Sequence, residues 1–345
     1  MNKVLIIGQG IAGALLARML RQRGVDVRLA DGALPGSASL AAAGIINPVT
    51  GKRFVKSWRF GDFFPVARAT YTALSQELGV DIWSETAIVR LLTTAEERND
   101  WSARCALPEY ASYLSDNDGG GAWKPLTGPD WHFGRIHQSA RVNFPVLLAA
   151  FREKAQAEGW FEQRNYTPEE AAREARYYDA VVFCEGYRGA TNPFFPGIQW
   201  QIAKGEALIV RIDDPQAGNI AEMLKKTVML APLGQGRFWA GGSYQWHYAD
   251  LLPSREEGAY LEKHLAGMLT APYKIVGQMA GVRPTVRDRR PLLGRSPLNP
   301  KLYIFNGMGT KGALLAPYWA AHLADHLLEQ TPLDPEVDIR RFGGI

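Results

Sequence analysis

The chain has 345 residues, 46% of them hydrophobic and 21% charged, enough for two domains or one large interleaved domain with an ample core. Its net charge of +4 permits an anionic ligand or RNA, but no long Lys/Arg block marks a nucleic-acid-binding stripe. Cys105 and Cys184 form no CxxC pair, which fits a reducing cytosol without structural zinc, and no run of 18 apolar residues offers a membrane span.

The first elements are the most informative. Val4-Leu5-Ile6-Ile7 reads as a strand, Gly8-Gln9-Gly10-Ile11-Ala12-Gly13 as a turn, and Ala14 to Arg23 as a helix. A second strand, Val25 to Ala30, ends at Asp31. Strand, glycine turn, helix, strand and acid together form a dinucleotide-binding unit. Gly8 allows the tight turn, Gly10 lets a pyrophosphate approach the backbone, and Gly13 lets the helix pack closely. The helix start presents unpaired N–H groups to the phosphates. Asp31, 18 residues after Gly13, suits a ribose diol and would repel a 2′-phosphate, which argues against NADP. The motif by itself does not separate NAD from FAD.

A loop of small residues, 32–39, leads into Leu40-Ala41-Ala42-Ala43-Gly44-Ile45-Ile46-Asn47-Pro48. Basic residues Lys52, Arg53, Lys56 and Arg59 follow, then an amphipathic helix from Phe63 to Gly79. Residues 80–141 mix short strands with turns, and composition makes 116–121 a mobile loop. Trp101, Trp123, Trp131 and His132 suit packing better than chemistry. A helix from Val142 to Gly159 and a buried strand at 179–183 lead to Cys184-Glu185-Gly186, where Cys184 reads as a small buried filler. Strands at 204–210 and 238–243 open a second set, and Ser254-x-x-Glu257 marks a capping box before a helix to Leu269. A strand from Ile275 to Val282 precedes Arg283 and Pro284. Leu302 to Phe305 is the last strand, Asn306-Gly307-Met308-Gly309-Thr310-Lys311-Gly312 a second glycine turn, and Ala313 to Leu328 the last helix.

These segments resemble, in order, those of the D-amino-acid oxidase, glycine oxidase and sarcosine oxidase family. Residues 39–48 resemble its second flavin-contacting segment, 184–186 its Ala-x-Gly turn with Cys184 departing from the alanine, and 281–294 its Gly-x-Arg-Pro…Asp-x-x-Pro-x-x-Gly signature. The resemblance implies FAD as cofactor. It also implies an α/β (α+β) fold: a Rossmann-like FAD-binding domain (1–75, 142–200 and 281–345) interleaved with a smaller substrate domain on an antiparallel sheet (76–141 and 201–280). The implied cofactor-binding residues are Gly8, Gly10, Ile11, Ala12, Gly13, Asp31, Ser39, Ala43, Gly44, Gly186, Gly307, Gly309, Thr310, Lys311 and Gly312. At the second glycine turn the helix dipole would stabilise the anionic reduced flavin.

The implied activity is oxidation of the C–N bond of an amino acid or secondary amine, with hydride leaving the carbon beside nitrogen for flavin N5. Arg283 and Lys311 are the catalytic candidates: Arg283 for a substrate carboxylate through two parallel hydrogen bonds, Lys311 as a donor to flavin or substrate. The structural alternatives are an Arg283–Asp288 pair and a solvated loop lysine. Tyr244 and His247 follow the Gly241-Gly242 turn and are weaker candidates for the pocket. No metal site is expected, and a cytoplasmic small-molecule enzyme is the favoured reading. The stretch 309–317 is also similar to the oxidase half of the bifunctional enzyme that finishes methylaminomethyl-thiouridine in bacterial tRNA, which keeps a modified tRNA base as the alternative substrate. No pattern specifies an oligomeric state.

Overall fold

A computed structural model describes residues 1–116, 119–128 and 131–343. Of the loop expected at 116–121, residues 117 and 118 lie outside the described residues. Asp116 itself closes a strand (Leu114–Asp116), and Gly119 to Gly121 turn with positive φ into a 3-10 segment.

The sequence-derived unit forms as expected: β1 (Lys3–Ile7), α1 (Ile11–Gln22) and β2 (Asp26–Ala30). β1 is apolar on both faces because helices cover both sides of its sheet. That sheet has six strands, in the order 161–162, β2, β1, 180–183, 302–306, 292–295. The first four pairings are parallel, and only 292–295 runs antiparallel to its neighbour. α1 and the last helix (Gly312–Glu329) pack together on one face, against Phe60–Leu78, with Leu15, Leu16, Phe63, Tyr71, Trp319 and Leu323 in the core. The Phe60–Leu78 helix begins three residues before the expected start; Arg59, with φ 46°, sets that boundary.

The second sheet has eight strands, in the order 273–283, 203–212, 237–241, 229–234, 223–225, 88–92, 132–136, 114–116. It is antiparallel except at one joint, where Met223–Lys225 runs parallel to Ile88–Leu92. That joint unites the two stretches assigned from sequence to one substrate domain. The strand expected to stop at Val282 extends through Arg283, so this sheet reaches past position 281. Trp101 and Trp123 are fully buried in its flanking cores.

The capping box at Ser254 is only half formed. Ser254 Oγ accepts from the Glu257 N–H at 3.3 Å, but the Ser254 N–H donates to Glu206 Oε2 at 2.8 Å. A buried carboxylate from the sheet takes the position that Glu257 would fill.

Candidate active site

One cavity of about 850 Å³ runs between the two sheets, within the usual range for small-molecule sites. Its first wall is the turn after β1. Gly8 has φ +102°, and a Cβ there would press on the Cys184 carbonyl at 2.5 Å. Gly13 does not line the cavity: a Cβ there would collide with the Gly8 carbonyl, so this glycine serves the packing of α1 on β1. Gly10 does line it, and a Cβ there would meet only Ser39 Oγ, at 3.4 Å. Gly10, Ile11 and Ala12 thus bring the start of α1 to the cavity.

Asp31 projects into the same end. Its carboxylate accepts from the Gln9 and Ala33 N–H groups, both at 2.7 Å, and Arg152 stands 3.3 Å away. Arg152 also donates to Gln9 Oε1 at 2.6 Å, and the Gln9 amide donates to the Leu148 carbonyl at 2.8 Å. Gln9 and Arg152 were not singled out from the sequence. Arg152 lies on a helix noticed only for its apolar face, and its partners are far away in the chain.

The 37–48 segment crosses the cavity. Ser39 Oγ accepts from the Ile11 N–H at 3.2 Å, and the Trp239 indole donates to the Ala41 carbonyl at 3.0 Å. Ala43 is buried, with its carbonyl taken by Arg141 at 3.2 Å. Gly44, at φ +70°, lies so close to Val142 that a Cβ would collide with the Val142 carbonyl. Gly186 faces open space, and its own carbonyl accepts from Asn306 at 2.8 Å.

The second glycine turn closes the far wall. Gly307 packs against Leu292 outside the cavity, whereas Gly309, Thr310, Lys311 and Gly312 line it. Ile11 Cγ2 lies 3.3 Å from where a Gly312 Cβ would stand, so the starts of α1 and the last helix meet there. Lys311 Nζ donates to Ser57 Oγ at 3.3 Å; burial, with Arg290 and Arg289 near, lowers its pKa. It is therefore not a freely solvated loop lysine.

Arg283 lies beyond the turn, on the eight-stranded sheet. Its guanidinium covers Gly205, where any Cβ would collide with it. It donates to the Ser243 carbonyl at 3.0 Å and the Lys204 carbonyl at 3.4 Å, and it lies 5.0 Å from the Tyr244 ring. Burial lowers its pKa. The alternative partner does not hold: Asp288 is bound by Arg341 at 2.7 Å, and among the described residues no carboxylate lies within 4 Å of Arg283. Tyr244 lines the cavity, while His247 is not among the lining residues. Cys184 is buried and burial pushes its thiol well up, which suits the small filler expected from the sequence.

Beside Arg283 is a buried ion pair. Lys204 Nζ stands 3.0 Å from Glu206 Oε1, with 2% and 0% of the two side chains exposed. Lys204 also donates to the Leu252 carbonyl, and Glu206 Oε2 accepts from Gln278 at 2.7 Å as well as from Ser254. These side chains hold the 252–254 end of the segment that carries Tyr244, and the backbones of Lys204 and Glu206 bond Gln245 and Ser243 at its other end.

A Cβ-free approach at Gly10, an acid just after β2 and two helix starts on one cavity fit a flavin adenine dinucleotide. This is the site of a dinucleotide-binding flavoprotein. The family model described as FAD dependent oxidoreductase (DAO) matches residues 3–326, and the chain belongs to that family; FAD is its cofactor. It is 26% identical over 370 residues to the uncharacterized oxidoreductase YurR of Bacillus subtilis, covering 97% of each chain. It is 25% identical over 368 residues to the tRNA 5-methylaminomethyl-2-thiouridine biosynthesis bifunctional protein MnmC of Marinobacter nauticus, covering 95% of this chain but 56% of that protein. Glycine oxidase from Geobacillus kaustophilus shares the fold, with a TM-score of 0.76 at 24% identity over 97% of each chain. Among the described residues no helix is long and apolar enough to cross a membrane.

Proposed function

We propose that the protein oxidises the C–N bond of an amino acid or a carboxylated secondary amine. The observation that carries this reading is Arg283, a half-buried guanidinium with no carboxylate partner among the described residues, lining the cavity that holds the dinucleotide cradle. Bound FAD supplies the two-electron acceptor; the protein supplies orientation. Arg283 holds the substrate carboxylate in two parallel hydrogen bonds, and Tyr244 covers the guanidinium. Trp239 and Met229 form an apolar floor that keeps water from the reacting carbon. Lys311 sets positive charge at the start of the last helix. The proposed division of labour assigns the cofactor to segments 1–75, 142–200 and 281–345, with Arg283 contributed at the seam. Anaerobic addition of glycine, sarcosine, proline and D-amino acids to the purified protein tests this: at least one carboxylated amine bleaches the flavin. An unreduced flavin with every member of the panel would sink the proposal.

A second reading, oxidation of a glycine-like arm on a tRNA base, draws on the similarity to MnmC and on exposed Lys52, Arg53 and Lys56. These follow Thr50, which lines the cavity. Salt-sensitive retention of tRNA is its signature.

A further inference from the structure

Besides Arg283, Lys311 and Arg152, the cavity carries Lys225, a cation that the carboxylate-and-amine scheme leaves idle. Lys225 ends the Met223–Lys225 strand and lines the cavity with Met229. Lys225 pairs with Met229, Met229 with Gly241, and Gly241 with Ala207, in consecutive antiparallel pairings. Residues paired in this way project from the same face of a sheet, and Gly205, two residues from Ala207, shares it. The Arg283 guanidinium lies on Gly205. Both cations therefore stand on one face of one sheet, with Met229, Trp239, Gly241 and Gly242 lining the space around them.

Lys225 resembles Arg283 in its unmet charge. Its Nζ donates to the Thr227 carbonyl at 2.8 Å, and among the described residues no carboxylate stands within 4 Å of it. Its cross-strand neighbour Arg90 adds positive charge and is answered by Glu97 at 3.5 Å, but Arg90 Nε is buried without a hydrogen-bond partner among the described residues. Lys225 and Arg283 are both half-buried, and drawing a charge partly out of water without a counter-charge is costly, a cost that an anion beside it recovers.

Resting on the amine-oxidation reading, we propose that the substrate carries a second acid group, held by Lys225 at the end of the cavity opposite Arg283. Gly205 and Lys225 are three strands and two residues apart, roughly 16 Å at about 4.8 Å per strand and about 3.4 Å per residue, and the lysine stem shortens the gap to roughly 10 Å. That span excludes two carboxylates on neighbouring carbons. It fits a long-armed dicarboxylic amino acid, or an N-(carboxyalkyl) amino acid, whose connecting arm lies on the apolar floor. Burial and Arg90 bring the free Lys225 ammonium down to about 8, and a bound carboxylate reverses this.

The test uses the FAD-loaded protein and acids that it cannot oxidise. Flavin absorbance is titrated with suberate, an eight-carbon diacid, and with octanoate, the monoacid of equal length, in wild type, Lys225→Met, Lys225→Arg and Arg283→Ala. Suberate affinity falls about tenfold in Lys225→Met, is kept in Lys225→Arg, and octanoate affinity does not fall in either. Equal suberate affinity in wild type and Lys225→Met overturns the second acid site. If in that case Arg283→Ala still loses both acids, the amine-oxidation reading stands alone. If neither acid perturbs the wild-type flavin and no amine in the panel bleaches it, both readings fall.

Discussion

Replacing Arg283 is the sharpest perturbation of the proposed chemistry. In Arg283→Ala the carboxylate loses both charge and fork; in Arg283→Lys the charge stays but the two parallel donors do not. The site is poor at replacing them. Arg283 lies over a glycine, beneath Tyr244, and the neighbouring Lys204 and Glu206 are locked in a pair with each other. Truncating one partner of a buried, hydrogen-bonded charge pair costs about 2–5 kcal/mol. At 1.36 kcal/mol per tenfold, that is a loss of roughly 30- to 5000-fold in the ratio of reduction rate to substrate dissociation constant. Arg283→Ala falls at the severe end, and Arg283→Lys falls less. Gly205→Ala, which forces the guanidinium aside without removing it, lands between wild type and Arg283→Ala. The assay is the anaerobic reductive half-reaction by stopped flow, run with a carboxylated amine and its decarboxylated analogue. Wild type prefers the carboxylated substrate, and Arg283→Ala loses the preference while its FAD content is unchanged. A preference that survives in Arg283→Ala refutes the argument, because the carboxylate then sits elsewhere.

Three further outcomes follow from the same geometry. Gly10→Val yields a folded but colourless protein, because the new side chain meets little but Ser39 and occupies the phosphate approach; a full complement of FAD in the variant contradicts that. Denaturation releases intact FAD into the supernatant, since Cys184 is buried with its thiolate disfavoured and Cys105, pushed up to about 11, is a poor nucleophile; flavin pelleting with the chain would show a covalent link. Lys225 binds its proton less tightly in the folded protein than in the unfolded chain, so substrate-free stability rises as pH climbs from about 8 towards 10.5, and the penalty is fully present below 8. Lys225→Met therefore stabilises the substrate-free protein by on the order of 2 kcal/mol at pH 7 and by little at pH 10.5, and equal denaturant midpoints at pH 7 would count against this.

The dinucleotide unit was legible because its signals are local: a strand, three glycines and an acid within 31 residues. What sequence reasoning missed depends on contacts between distant segments. Arg152 reaches Gln9 across 143 positions, and nothing around residue 152 advertises it. Glu206 takes the N–H of Ser254 from 48 residues away, which is why a sound local capping pattern was only half realised. Gly13 was expected both to pack α1 and, with Gly307, to bind the cofactor, but a Cβ at either position would meet protein backbone or Leu292, and neither lines the cavity. Asp288 was the nearest acid to Arg283 in sequence, yet Arg341 binds it. The parallel joint between 88–92 and 223–225 had no local signature, and it is this joint that sets Lys225 beside Arg90.

The order of strands in the six-stranded sheet has a consequence for how the chain is made. The strand at 302–306 lies between 180–183 and 292–295, and the last helix covers the face beside α1. Until the ribosome has released roughly the final tenth of the chain, the 180–183 strand has an open edge and the apolar side of α1 has no cover. Such edges invite aggregation and are closed only by slow, non-local pairing. The cavity is lined by both the first and the last of these segments, so FAD held there as proposed would staple the finished fold, and riboflavin starvation is expected to show as lost protein as well as lost activity.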